Sequence, residues 1–317
     1  MLRPQYKRII LVSDGLNSSE QATATALSIA HRHGSAVTIM DTVQPPGFAA
    51  KWLSPMSQEM FELVIAEKEE RLNRIADEFR EQGLDVEVIV RSGTSSVEIT
   101  RLAIEKDADL VIRYMKGENS SFPGRIGRTA RSLIQHCPVP LLITDRKLTA
   151  TPRVLACFDP HHDVNENVAI IESAAGLASD ESDLSGLFCW ELYGSNLIEK
   201  RLDKNTYQQY YRDAEARHRA AFERFSDSQG MAGISDRLVM HYGDPSTAIP
   251  AYCREKGVDV VVMCSASLNH PLKRLLGSTV EAVMEDSPCA MLIVKPVGFV
   301  SRIKPASEAT QPASLVH

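Results

Sequence analysis

The chain repeats itself, and the repeat limits its fold more than any single motif does. Residues 91–143, RSGTSSVEITRLAIEKDADLVIRYMKGENSSFPGRIGRTARSLIQHCPVPLLI, align without a gap on residues 241–293, HYGDPSTAIPAYCREKGVDVVVMCSASLNHPLKRLLGSTVEAVMEDSPCAMLI. The offset is 150 throughout: Gly93 falls on Gly243, Asp109 on Asp259, Gly127 on Gly277 and Pro138 on Pro288. At offset 145, RIILVSDG from Arg8 falls on RVLACFDP from Arg153, so Asp14 matches Asp159. The chain is therefore read as two copies of one domain, 1–147 and 148–300, joined near DRKLTATPR. A tail over 301–317, rich in Ser, Ala, Pro and Thr, is expected to be disordered.

Within each copy, short apolar runs alternate with helical patterns. The first copy predicts strands at Arg8–Ser13, Ala36–Asp41, Asp85–Arg91, Leu110–Ile112 and Val139–Thr144. The second predicts Arg153–Phe158, Ser185–Trp190, Asp236–His241, Val258–Met263 and Ala290–Val294. Runs apolar at nearly every position suit strands buried on both faces of a parallel sheet. Ser18-x-x-Gln21, Ser95-x-x-Glu98, Asp163-x-x-Glu166 and Ser278-x-x-Glu281 read as capping boxes. Asp244-Pro245 reads as a cap followed by proline in the first turn. Long helices are expected over 57–82 and 204–227, the first preceded by the proline-containing loop 44–56. The fold class is α/β: two tandem, doubly wound, parallel five-stranded sheets with right-handed crossovers.

Composition narrows the function. A chain of 317 residues with 44% hydrophobic and 24% charged residues is that of a globular protein with full cores. The formal net charge of −6 disfavours a general nucleic-acid binder. No apolar run is long enough for a membrane span, and the N-terminus does not read as a signal peptide. The six scattered cysteines form no CxxC pair and read as small buried hydrophobes in a reduced, cytoplasmic compartment.

In an open α/β sheet, ligands sit past the carboxyl ends of the strands. The first strands end in Asp14-Gly15 and Asp159-Pro160. The third are followed by Ser92-Gly93-Thr94 and Tyr242-Gly243-Asp244-Pro245. The fourth run into long loops that end in Gly127-Arg128 and Gly277-Ser278. Each aspartate has two readings, as a ligand acceptor or as a turn residue bonding nearby backbone N–H groups.

On these residues, and on the Cys-Pro-x-Pro-Leu-Leu-Ile strand at Cys137, the chain resembles the tandem universal stress proteins, closest to the two-domain E type, from about Tyr6 to Pro296. The resemblance implies strand order 3-2-1-4-5, a pseudo-dimer of the two copies within one chain with a further homodimer possible, and a cytoplasmic stress-response role. ATP-binding members carry a glycine, two residues, a second glycine, nine residues, then Gly-Ser or Gly-Thr. Backbone N–H groups there surround phosphate, and a helix N-terminus adds partial positive charge. Here the aligned positions are Tyr114, Gly117, Gly127 and Arg128 in the first copy, and Cys264, Ser267, Gly277 and Ser278 in the second. Small replacements make the second copy the better candidate for ATP or a related nucleotide. The implied ligand-binding positions are Asp159, Gly243, Cys264, Ser267, Gly277, Ser278 and Thr279, with Asp14, Gly117 and Gly127 in the first copy.

Other constellations have competing readings. Arg125, Arg128 and Arg131 read as an anion fork or, by preference, as a solvated helix face. His161-His162-Asp163, with His241, could hold zinc, but the spacing matches no standard site and capping by Asp163 is the favoured reading. No metal is therefore expected. Cys264 invites a redox role or simply ends a strand. Tyr207, Tyr210 and Tyr211 read as packing or a partner surface. There is no GxSxG motif and no P-loop lysine. The resulting expectation is a non-enzymatic module that binds a small ligand or a protein partner. The alternatives are a weak ATPase using Lys273, Arg274 and Ser278, or a binder of a hydrophobic ligand covered by Trp52.

Overall fold

The computed structural model describes residues 6–16, 19–45, 56–115, 127–192, 194, 201–228, 231, 233–265 and 278–305. The chain divides into two compact units, one centred on Gln5–Leu148 and the other on Thr149–His270 with Gly277–Val297.

In the first unit the elements run β1 (Arg8–Val12), α1 (Glu20–His33), β2 (Ala36–Val43), α2 (Met56–Glu81), β3 (Val86–Ser92), α3 (Ser95–Glu105), β4 (Leu110–Tyr114), α4 (Arg128–His136) and β5 (Leu141–Thr144). The strands are parallel, in the order β3-β2-β1-β4-β5. Ile9, Ile10 and Leu11 are buried, as are Leu110–Ile112 and all four residues of β5. Burial on both faces explains why these runs are apolar at every position rather than at alternate ones. Helix α1 packs on β1 and β4, and α2 on β2 and β3.

The second unit repeats this plan: β6 (Val154–Cys157), α5 (Val164–Leu177), β7 (Leu184–Trp190), α6 (Lys204–Ser226), β8 (Leu238–Tyr242), α7 (Pro245–Lys256), β9 (Val260–Cys264), α8 (Ser278–Asp286) and β10 (Ala290–Val294). Its parallel order is β10-β9-β6-β7-β8. The repeat extends to single hydrogen bonds. Asp109 accepts from the Lys7 and Arg8 N–H groups at 2.8 Å each, and Asp259 accepts from the Arg153 N–H at 2.8 Å. These carboxylates fix where β1 and β6 begin against their neighbours.

Some boundaries differ from expectation. Residues 235–237 form a 3-10 turn, so β8 starts at Leu238. Pro140 lacks an N–H, and β5 starts after it, at Leu141. Ser95 is not a cap: Thr94 holds that position, and the Ser95 hydroxyl lies 2.6 Å from that of Thr42. Asp163 and Asp244 do cap α5 and α7, accepting from Asn165 N–H at 2.7 Å and Ser246 N–H at 2.8 Å. Of the tail, residues 301–305 are placed, and the Ser301 hydroxyl donates to the His136 carbonyl at 2.7 Å. Residues 306–317 and Ser18 lie outside the described residues.

Candidate functional site

In each sheet the connections turn outward on either side of the first strand. That makes a crevice between the exit ends of the first and fourth strands, β1 and β4 in one unit and β6 and β9 in the other. Val12 stands beside Arg113, so Asp14 lies just past the exit of β1, next to the end of β4. Helices α4 and α8 start on the same side, because each leads from that exit back into a parallel neighbour. Asp14 and Gly127 therefore share one end of the first sheet. Asp159 and the start of α8 share one end of the second.

At the first mouth, Asp14 Oδ1 accepts from the Leu16 N–H at 3.0 Å, closing an Asx turn. The buried hydroxyls of Ser13 and Ser19 meet at 2.8 Å beneath it. Gly15 sits under α2, where a Cβ would stand 2.9 Å from that of Arg71. Asp41, near the end of β2, pairs with Lys68 of α2. Burial raises the Asp41 pKa, Lys68 opposes the rise, and the nearby Asp14 carboxylate adds to it. Arg113 completes the group. Its Nε and Nη1 are buried and, among the described residues, meet no hydrogen-bond acceptor. Burial lowers its pKa and Asp14 acts against that.

The second mouth keeps the turn and replaces the charges. Asp159 Oδ1 accepts from the His161 N–H at 3.0 Å. Asn167, 2% exposed, clamps this turn from α5: its Oδ1 accepts from the Asp159 N–H at 3.1 Å and its Nδ2 donates to the Asp159 carbonyl at 2.7 Å. His162 Nε2 lies 3.7 Å from Asp159 Oδ2. Beyond the turn lies a run of rings. His161 and His218 hydrogen-bond at 2.8 Å; between ring centroids, His218 lies 4.8 Å from Trp190, and Trp190 lies 4.9 Å from Tyr242 and 5.5 Å from Tyr211.

The two mouths can be matched residue by residue. Gly93 donates its N–H to Val43 O, and Gly243 to Trp190 O, both at 2.9 Å. Val43 thus corresponds to Trp190, and Asp41 to Phe188, two residues earlier in each strand. Phe188 contacts the His218 ring at 5.8 Å, where the first unit has the Asp41–Lys68 pair. Arg113 pairs with Ile143 as Met263 pairs with Ile293, so methionine stands where the first unit has its buried guanidinium.

The expected site residues have the following places. Asp14 and Asp159 both act as turn acceptors at the mouths. Gly243 has φ +155°, in the region that favours glycine, and begins the turn capped by Asp244, so the turn itself accounts for it. Gly127 precedes α4 with φ −62°. A Cβ there would meet nothing within 4 Å among the described residues, so neither conformation nor packing asks for glycine. Cys264 is half-buried and ends β9, and Thr279 is half-buried in the first turn of α8. Gly117, Ser267, Gly277, Arg125, Lys273, Arg274, Trp52 and most of the loop 44–56 lie outside the described residues, as does the Ser278 side chain. Arg128 and Arg131 are exposed on α4. Tyr211 packs on Trp190 and Tyr242, whereas Tyr210 is exposed.

Asn167, Arg113, the Asp41–Lys68 pair and His218 were not singled out in the sequence. A lone arginine in LVIRY and a lone aspartate in AVTIMDTV were the available signals. Among the described residues no three His, Cys, Asp or Glu side chains are placed to hold a metal, and no helix is long and apolar enough to cross a membrane. The six cysteines form no disulfide. Burial, with Asp244 nearby, pushes the Cys189 thiol up to about 12. A cavity of about 220 Å³ opens at the other end of the first sheet, with Arg8 and Lys106 balanced by Asp85 and Glu87.

The sequence profile of the universal stress protein family matches residues 5–145 and 152–295. A Staphylococcus aureus (strain USA300) protein named for that family is 27% identical over 145 residues, 44% of this chain and 83% of its own. A functionally unknown protein from Pseudomonas aeruginosa PAO1 shares the fold with TM-score 0.65 at 19% identity, covering 92% of this chain and 93% of that one. A universal stress protein from Archaeoglobus fulgidus does so with TM-score 0.63 at 18% identity, covering 92% and 99%.

Proposed function

The chain belongs to the universal stress protein family, and from that premise we propose a non-enzymatic, cytoplasmic stress-response module. It holds a small ligand or nucleotide at the crevice beside the first strand and signals by its occupancy. One observation carries this reading. In both units an aspartate preset in an Asx turn stands where the first and fourth strands end, on the side where the next helix starts. A helix start offers unpaired backbone N–H groups and partial positive charge to an anion, and the aspartate offers an acceptor to a sugar or base. The nucleotide is assigned to the second unit, with Asp159, Gly243, Cys264, Ser267, Gly277, Ser278 and Thr279 around it. Gly127, just before α4, is the matching ligand position proposed for the first unit, with Asp14 and Gly117.

The test is mass spectrometry of protein purified without added nucleotide, then ATP titration of wild type and Gly277→Val. The expected result is a co-purified small molecule or ATP binding that Gly277→Val weakens, with the bound ATP recovered intact. If nothing co-purifies and wild type ignores millimolar ATP, the reading fails. Recovery of ADP with continuing turnover replaces it with an ATPase.

A further inference from the structure

We propose that the first unit's mouth is an oxyanion site with Arg113 as its recognition residue, taking a carboxylate- or phosphate-bearing small molecule. This deepens the reading above and rests on it, since it assumes that the mouths hold ligands. Two buried guanidinium nitrogens without acceptors are costly to keep, because their lost hydration is not replaced. Among the described residues no neighbouring carboxylate hydrogen-bonds the Arg113 Nε or Nη1. Asp41 pairs with Lys68, and Asp14 Oδ1 accepts from the Leu16 N–H. Asp14 lies close enough to stabilise the Arg113 charge, yet Nε and Nη1 have no acceptor among the described residues.

The fold does not require this arginine. The second unit builds the same strand, in the same register, with Met263. It also replaces the Asp41–Lys68 pair with Phe188 against His218. The charged group is thus confined to one copy, at the crevice where its topology places a ligand. An oxyanion supplies what Arg113 lacks: acceptors for charged N–H donors, in a setting where such bonds are short and strong. The two mouths then differ in kind, one selecting a compact anion and the other lined by rings.

The experiment measures thermal melting of the full chain against inorganic phosphate and against succinate, with chloride at matched ionic strength as the control. Wild type and Arg113→Met are compared. A bound anion stabilises the folded state in proportion to its occupancy. In wild type, one of the two anions is expected to raise the melting temperature with a saturating dose response. Which one acts identifies the phosphate or the carboxylate source. Arg113→Met is expected to melt higher without anion, and its apparent Kd should rise about ten- to a hundredfold. Should Arg113→Met not fold, Arg113→Lys keeps the charge and should show a weakened response. A wild-type response no larger than with chloride, or one unchanged in the variants, overturns the proposal. If ATP still binds and depends on Gly277 in that case, the proposed function stands and only the Arg113 site falls. If ATP binding and ligand recovery fail while the Arg113-dependent response holds, the nucleotide assignment falls instead.

Discussion

His161 and His218 are joined ring to ring, Nε2 to Nδ1 at 2.8 Å, linking the loop after β6 to helix α6. Such a bond needs one ring to donate and the other to accept, so it does not survive protonation of both. Burial lowers the His218 pKa, the His161 and Arg217 charges act in the same direction, and Asp159 opposes them. The unfolded chain therefore binds a proton at higher pH than the folded one. The contribution to stability is complete above the ordinary histidine value of about 6.5 and is lost as pH falls through it towards the folded value. Urea midpoints at pH 7.5, 6.5 and 5.5 should fall more steeply for wild type than for His218→Phe. Equal slopes would show that the pair does not couple folding to pH.

Asn167 closes the Asp159 turn with both ends of its amide. Asn167→Ala leaves the Asp159 N–H and carbonyl without those partners, at a cost of about 1–3 kcal/mol. Urea denaturation reads the loss. ATP titration of the same variant should weaken in parallel if this turn shapes the nucleotide site.

Lys68 keeps the half-buried Asp41 carboxylate paired. Lys68→Met should cost about 2 kcal/mol at neutral pH, less than a fully buried pair because solvent still reaches it. The penalty comes from ionised Asp41, so it should shrink as pH falls and the carboxyl takes up a proton. The double variant Asp41→Leu/Lys68→Met should recover most of the loss, as Phe188 and His218 make an uncharged contact at the matching place. Failure of the double variant to recover would assign the cost to lost packing by the lysine stem.

Gly15 turns with φ +72° directly under Arg71. Gly15→Ala should cost about 1–3 kcal/mol, from the left-handed backbone and from the approach to the Arg71 Cβ. Chemical denaturation measures it. A loss below a few tenths of a kcal/mol would show that α2 gives way.

Much of the fold was legible along the chain because its causes are local. Strands buried on both faces must be apolar at each position, and Asp163 and Asp244 cap helices through N–H groups two residues away. Ser95 misled because Thr94 and Ser95 both resemble caps, and the Ser95 hydroxyl instead meets that of Thr42, 53 residues away. The expected aspartates were found at the mouths, but their Asx turns depend only on near neighbours, whereas the clamp on Asp159 comes from α5.

By itself, the sequence determined that this protein is one α/β unit made twice, with an aspartate turn after the first strand of each copy. Only the tertiary structure decided what lines those turns. Parallel strand order and helix packing bring Asp41 to Lys68, Asp14 to Arg113, and His161 to His218 across 27, 99 and 57 residues. The physical reason is that hydrophobic periodicity records which face of a segment is buried. It carries no record of which distant charge or ring that face will meet.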